Sequence, residues 1–224
     1  MKILTRVLDL IFPPICGFCG KLNTKYICNE CEKIVNLEAI NKIDSYNKNY
    51  NRHLYIFKYE GIIREKIIDY KFNNKVYLYR TFTEAVLKNK ENIKFIEQYD
   101  FLIPVPIHKE RKKVRGYNQS ELIARILADE IGKIKLQVDI LKKDKNIVAQ
   151  STLDKKQRSE NIKGVYKVIN KQKIIDRKIL LLDDIYTTGS TANECSKVLK
   201  EAGCKEVGII TIAKDWQSIK SYIE

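Results

Sequence analysis

From residue 53 onward, apolar positions fall into two alternating patterns. Short, almost unbroken runs occur at 101–107 (FLIPVPI), 178–184 (KILLLDD) and 206–213 (EVGIITIA). Runs of that length and continuity predict strands buried on both faces. HLYIFKYEG at 53–61 alternates and is rich in β-formers, so it also predicts a strand, as do KLQVDIL at 135–141 and VYKVI at 165–169. Between these runs the period changes to that of a helix. Residues 118–131 end at Gly132, 187–202 end at Gly203, and 62–89 read mostly as helix with a boundary near Asn73 and Asn74. Buried strands separated by amphipathic helices predict an α/β fold, a parallel sheet with helices on both faces. Residues 37–52 (LEAINKIDSYNKNYNR) are polar and read as a linker, and 142–163 read as a long polar loop. Ile3, Leu4, Val7, Leu8 and Ile11 sit at helical spacing and predict a short amphipathic helix. The organisation expected is a small module over 1–36, a linker over 37–52 and a main domain over 53–224.

Composition changes this picture in two ways. The chain has 224 residues and 44% hydrophobic content, enough for a real core, with only 9 glycines and 4 prolines, which excludes collagen-like and turn-dominated folds. Charge is lopsided: 42 Lys and Arg against 28 Asp and Glu give +14. A nucleic-acid or polyphosphate partner would use such an excess. Codon bias gives the same excess, since 33 of the bases are Lys and Asn and Ile are also abundant. No run of 18 apolar residues occurs, so no transmembrane helix is expected. Arg6 and Asp9 interrupt the N-terminal apolar stretch, which argues against a signal peptide and for a cytoplasmic location.

In a reducing compartment, clustered cysteines more often bind metal than form disulfides. Four of the six cysteines fall within 16–31, as CGFCG and CNEC, giving C-x2-C-x8-C-x2-C. Two CxxC pairs place four thiolates around one ion, so Cys16, Cys19, Cys28 and Cys31 read as a structural Zn²⁺ site. An iron centre, a redox dithiol and a site that has lost its metal are the alternatives. Four protein ligands would close the site to substrate. Cys195 and Cys204 read as packing residues.

The sharpest signal is ILLLDDIYTTGST at 179–191. An apolar strand delivers Asp183 and Asp184, then a turn of Thr187, Thr188, Gly189, Ser190 and Thr191, to the carboxyl edge of the sheet, where ligands bind in open α/β folds. Unsatisfied N–H groups at a helix start favour phosphate, and two carboxylates suit vicinal hydroxyls. This pattern resembles the phosphoribosyl pyrophosphate (PRPP) loop of type I phosphoribosyltransferases. That resemblance assigns the ribose hydroxyls to Asp183 and Asp184 and the 5′-phosphate to 187–191.

Lys109, Arg111, Lys112, Lys113 and Arg115 follow the PVPI segment with one acid, Glu110, among them. At a strand's carboxyl end they could bind pyrophosphate, or form a solvated basic loop. Gln150, Ser151, Arg158 and Asn161 lie in the long polar loop, which has the composition of a mobile lid or of plain disorder. Residues 46–82 hold ten of the 21 aromatics, interleaved with bases. Such a stretch could stack a single strand, although strand and helix core is the more frequent use of these residues. His108 reads as a loop histidine with no partner.

Taken in order, CxxC…CxxC, Y-x-G (59–61), PVPxH (104–108), RGxNQ (115–119), Q-S-x-L…R…N (150–161) and LLLDDIYTTGST resemble the ComF family of competence-associated, phosphoribosyltransferase-like proteins. Two departures are Tyr117 where Phe is frequent and Thr152 where Gly is frequent. The resemblance implies a type I phosphoribosyltransferase-like domain behind a zinc finger, PRPP bound with Mg²⁺, and Lys71 facing the site. It also implies a role in DNA uptake, with single-stranded DNA and a helicase or translocation protein as partners, peripheral at the inner face of the membrane. An active phosphoribosyltransferase of nucleotide metabolism is the alternative, because no residue names the acceptor.

Overall fold

The computed structural model describes residues 13–47, 49–144 and 162–216, with backbone alone at 45–47. The expected N-terminal amphipathic helix lies outside these residues. A six-stranded sheet forms the centre, in the order β1-β2-β8-β7-β3-β4. Its strands are β1 (Ala39–Asn47), β2 (Tyr50–Lys58), β3 (Phe101–Pro104), β4 (Lys135–Leu136), β7 (Lys178–Tyr186) and β8 (Glu206–Lys214). β1 runs antiparallel to β2, and every other neighbouring pair is parallel. A separate antiparallel ribbon joins β5 (Leu141–Lys143) and β6 (Tyr166–Val168).

Parallel strands buried on both faces need two apolar layers, and the alternation of β7 supplies them. Leu180 and Leu182 face one core with Leu54, Ile56, Ile210 and Ile212 of neighbouring strands. Ile179 and Leu181 face the other with Val207 and Ile209. The first core is covered by α1 (Asn29–Glu38), α2 (Gly61–Phe72), α3 (Leu78–Leu87), α4 (Lys90–Ile96) and α6 (Gln119–Ile131). The second is covered by α7 (Ser190–Glu201) and the ribbon.

Local signals explain the helix limits. Asn118 Oδ1 accepts from the Ser120 amide at the start of α6, and Gly132 ends it in the left-handed region. α2 stops at Asn73, and Asn74 has positive φ, at the expected break.

Five expectations are corrected. The polar stretch at 37–52 holds β1 and the start of β2. Its polar residues fit a strand at the sheet edge, where only one neighbour exists. KLQVDIL pairs with β3 only through Lys135 and Leu136, and VYKVI joins the ribbon, not the sheet. The basic stretch after His108 is a helix, α5 (Lys109–Arg115). His108 has a partner, since its Nδ1 accepts from the Glu110 amide at 3.3 Å and caps that helix.

The cysteine segment does not stand apart. Cys16, Phe18, Ile27, Cys28, Cys31 and Val35 belong to the first core. Glu84 of α3 accepts from the Tyr26 amide at 3.0 Å, and the Arg80 guanidinium lies 5.1 Å from the Tyr26 ring. At Gly17 a Cβ would stand 2.3 Å from Thr81 Oγ1 and 2.7 Å from Leu78 Cδ2, both in α3. Gly17→Ala is expected to lower the unfolding free energy by about 1–3 kcal/mol, the range for overpacking. Urea unfolding of wild type and variant measures it, and an unchanged midpoint would show that the contact yields freely.

Candidate functional site

β7 ends between β8 and β3, so everything it carries arrives at the carboxyl edge of the sheet. There Asp184 is buried and Asp183 half-buried. Lys71, in the last turn of α2, places Nζ 2.9 Å from Asp184 Oδ1. Ser120 Oγ donates to Asp183 Oδ1 at 3.3 Å, and the Asp184 amide donates to the same oxygen at 2.9 Å. Burial, with Asp184 beside it, pushes the Asp183 carboxyl up to about 7, while Lys71 acts in the opposite sense. The site therefore holds one paired carboxylate and one that wants a cation or a hydroxyl partner.

The turn beyond the acids is shaped by its glycine. Gly189 has φ +76°, and a Cβ there would stand 2.1 Å from the Tyr186 hydroxyl oxygen. Gly189 is also the N-cap of α7 and brings no side chain to cap it. Thr188 Oγ1 and Ser190 Oγ lie 2.9 Å apart and line the same turn. The Ser190 amide donates to Thr188 Oγ1 at 3.4 Å, and a helix N-terminus flanked by such hydroxyls favours an anion. Tyr50 of β2 backs it, its hydroxyl 2.8 Å from that of Tyr186, and Asn49 donates to Asn193 of α7 at 2.8 Å.

Cations converge from two other elements. Burial pulls the Arg115 guanidinium below its usual range, against Asp184, and Arg111 adds to the fall. Burial likewise lowers the Lys143 ammonium, with Arg111 again adding and Asp183 opposing. Lys143 lies 5.5 Å from the Tyr166 ring centroid. Among the described residues Arg111, Arg115 and Lys143 form no ion pair. Arg115 and Lys143 stand near the two acids and Arg111 near both of them, without an ion pair among the described residues, an arrangement that suits a multiply charged anion.

The structure thus gathers Asp183, Asp184, Thr187, Thr188, Gly189, Ser190, Thr191, Lys71, Arg111 and Arg115. Lys109 is exposed at the start of α5 and makes no contact with the acids among the described residues. Gln150, Ser151, Arg158 and Asn161 lie outside the described residues. Lys143 was not legible as a site residue, because it sits in a polar stretch that reads as loop. Only the ribbon brings it near Asp183. Half of the ten aromatics at 46–82 are core: Tyr50, Tyr55, Phe57, Tyr70 and Phe82 are buried.

The four N-terminal cysteines are all free, and their sulfurs lie within 4.8 Å of one another. Thiolates around a tetrahedral ion with bonds of about 2.3 Å stand roughly 3.8 Å apart. Cys19 and Cys28 are 3.8 Å apart, so the cluster could hold a metal ion. Burial opposes ionisation at Cys16, yet amides led by that of Cys28 pull its thiol down to about 7. Burial raises Cys31.

The Asp183 carboxyl sets a pH dependence. Its proton affinity is raised only in the folded chain, so the folded state holds more protons than the unfolded one between about pH 4 and 7. Stability is therefore highest below that window and falls as pH rises through it. Asp183→Asn is expected to flatten this decline and to raise unfolding free energy near pH 8 by on the order of 1 kcal/mol. Denaturant titrations across the window test this, and a wild-type curve that stays level would contradict it.

The family model for the phosphoribosyl transferase domain matches residues 118–221. Competence protein ComFC of Streptococcus pneumoniae is 31% identical over 163 residues, covering 72% of this chain and 68% of that protein. Competence protein F of Haemophilus influenzae is 28% identical over 205 residues, covering 90% and 85%. Competence protein ComFC of Bacillus subtilis is 24% identical over 195 residues, covering 84% and 72%. The matched domain includes the DDIYTTGST turn at the end of β7. With that identity spread across most of both chains, the protein belongs to the ComF family of competence proteins.

Proposed function

We propose that this protein binds PRPP with Mg²⁺ at the end of β7 and acts in DNA uptake during natural transformation, handling the incoming single strand. The observation that carries the reading is the succession of acid pair and open turn: Asp183 and Asp184, then Gly189 capping α7 with no side chain. In this reading Asp183 and Asp184 take the ribose hydroxyls. The amides and hydroxyls of 187–191 take the 5′-phosphate. Arg111, Arg115 and Lys143 face the pyrophosphate. Asp183 and Asp184 are the residues that would face Mg²⁺, which would supply positive charge to the bound pyrophosphate. Lys71 holds the place of that cation beside Asp184 and would release it when the ligand arrives. The relatives whose names speak of competence support the biological role.

The cysteine quartet is proposed to hold one structural Zn²⁺. Its four sulfurs leave no open position, so the metal serves folding. Apparent binding energies of about 10–16 kcal/mol in zinc-finger peptides indicate what such a site adds to a small segment. A helicase or translocation protein is the proposed partner, at the inner face of the membrane. Among the described residues no helix is long and apolar enough to cross a membrane.

Two measurements test these assignments. Calorimetry with PRPP and Mg²⁺ is expected to show binding by wild type and at least ~100-fold weaker binding by the Asp183→Ala/Asp184→Ala double variant, the scale of losing several charge-assisted bonds. Equal affinities would remove the acid pair from the site. Metal analysis after chelator-free purification is expected to find about one zinc per chain, and Cys31→Ser is expected to lose it and unfold the segment. A metal-free protein that stays folded would end the zinc assignment.

A further inference from the structure

Phe72 departs from the pattern of its neighbours. Tyr70 before it is buried and Tyr77 after it is half-buried, whereas Phe72 is 65% exposed at the last position of α2. One residue before it, Lys71 reaches Asp184. The Arg115 guanidinium lies 5.4 Å from the Phe72 ring centroid. Arg115 itself closes α5 beside Val114, which is 91% exposed. A solvent-facing phenyl ring leaves apolar surface in water, and here it does so beside a charged site. A cation against a ring makes a flat, electron-poor and electron-rich step on which another π-face can lie.

The surroundings say which π-face. α5 has no buried residue and carries Lys109, Lys112 and Lys113 exposed along its length. The chain as a whole is +14. An aromatic step bordered by a row of lysines is complementary to a base with a phosphate backbone running past it. A duplex presents its bases edge-on inside the stack, so a protruding ring cannot reach their faces. We propose that Phe72 and Arg115 form a stacking platform for an unpaired base of a single-stranded nucleic acid, whose phosphates follow the exposed lysines of α5. This rests on the proposed handling of single strands and gives that role a place, at the rim of the PRPP site. The strand and the sugar phosphate then meet at Arg115, which serves both.

The test uses the full-length, zinc-loaded protein and a fluorescein-labelled oligodeoxyadenylate at low salt, with Phe72→Ala and Phe72→Trp as variants. Phe72 is exposed, so neither change disturbs the core. Wild type is expected to bind the oligonucleotide, F72A about tenfold more weakly, the scale of one stacked base. F72W is expected to restore affinity, with its added indole emission quenched by the single strand and not by a duplex of the same length. Affinity for PRPP with Mg²⁺ is expected to be the same in F72A as in wild type. Wild type that binds no strand, F72A that binds as well as wild type, or an equal loss for duplex would each overturn the platform. Failure of PRPP binding with the F72A loss intact would instead overturn the PRPP reading and leave the platform standing.

Discussion

Two carboxylates held side by side at the end of a buried strand repel each other, and the fold around them is arranged to answer that repulsion. Lys71 answers for Asp184 through a direct ion pair. Among the described residues Asp183 has Ser120 and a backbone amide as hydrogen-bond donors, and its carboxyl is driven up to about 7. Moving Lys71 out would leave both acids in want of a cation, which is the condition under which a metal-bearing, hydroxyl-rich ligand gains most. In the proposed reading, Lys71 is an internal cation that the ligand would replace.

That poise depends on parts far apart in the chain. α2 brings Lys71, α6 brings Ser120, α5 brings Arg111 and Arg115, the ribbon brings Lys143, and β2 brings Tyr50 behind the turn. Each comes from an element packed on a different part of the sheet. The parallel order β2-β8-β7-β3 makes their meeting possible, because it points the ends of four strands at one edge.

The cysteine segment contributes differently. It runs through α1 into β1, packs its apolar residues into the first core, and touches α3 at a glycine too close for any side chain. A metal there would fix the segment on α3 and, through β1, steady the hairpin whose Asn49 and Tyr50 back the turn.

The parts legible in the sequence share one property: their signal is local. Consecutive apolar residues predict β3, β7 and β8; Asn118 and Gly132 bound α6; paired cysteines and the DDIYTTGST turn announce their chemistry within a few residues. What tertiary structure decided is whatever depends on a partner elsewhere. β1 is polar because it lies at an edge, and no local pattern separates such a strand from a linker. KLQVDIL divides between sheet and ribbon because β3 offers only two residues of pairing. Lys143 looks like any lysine until the ribbon carries it to Asp183, and Phe72 looks like core until the end of α2 leaves it beside Arg115. Chain order sets which groups exist; burial and the meeting of distant elements set which of them face one another.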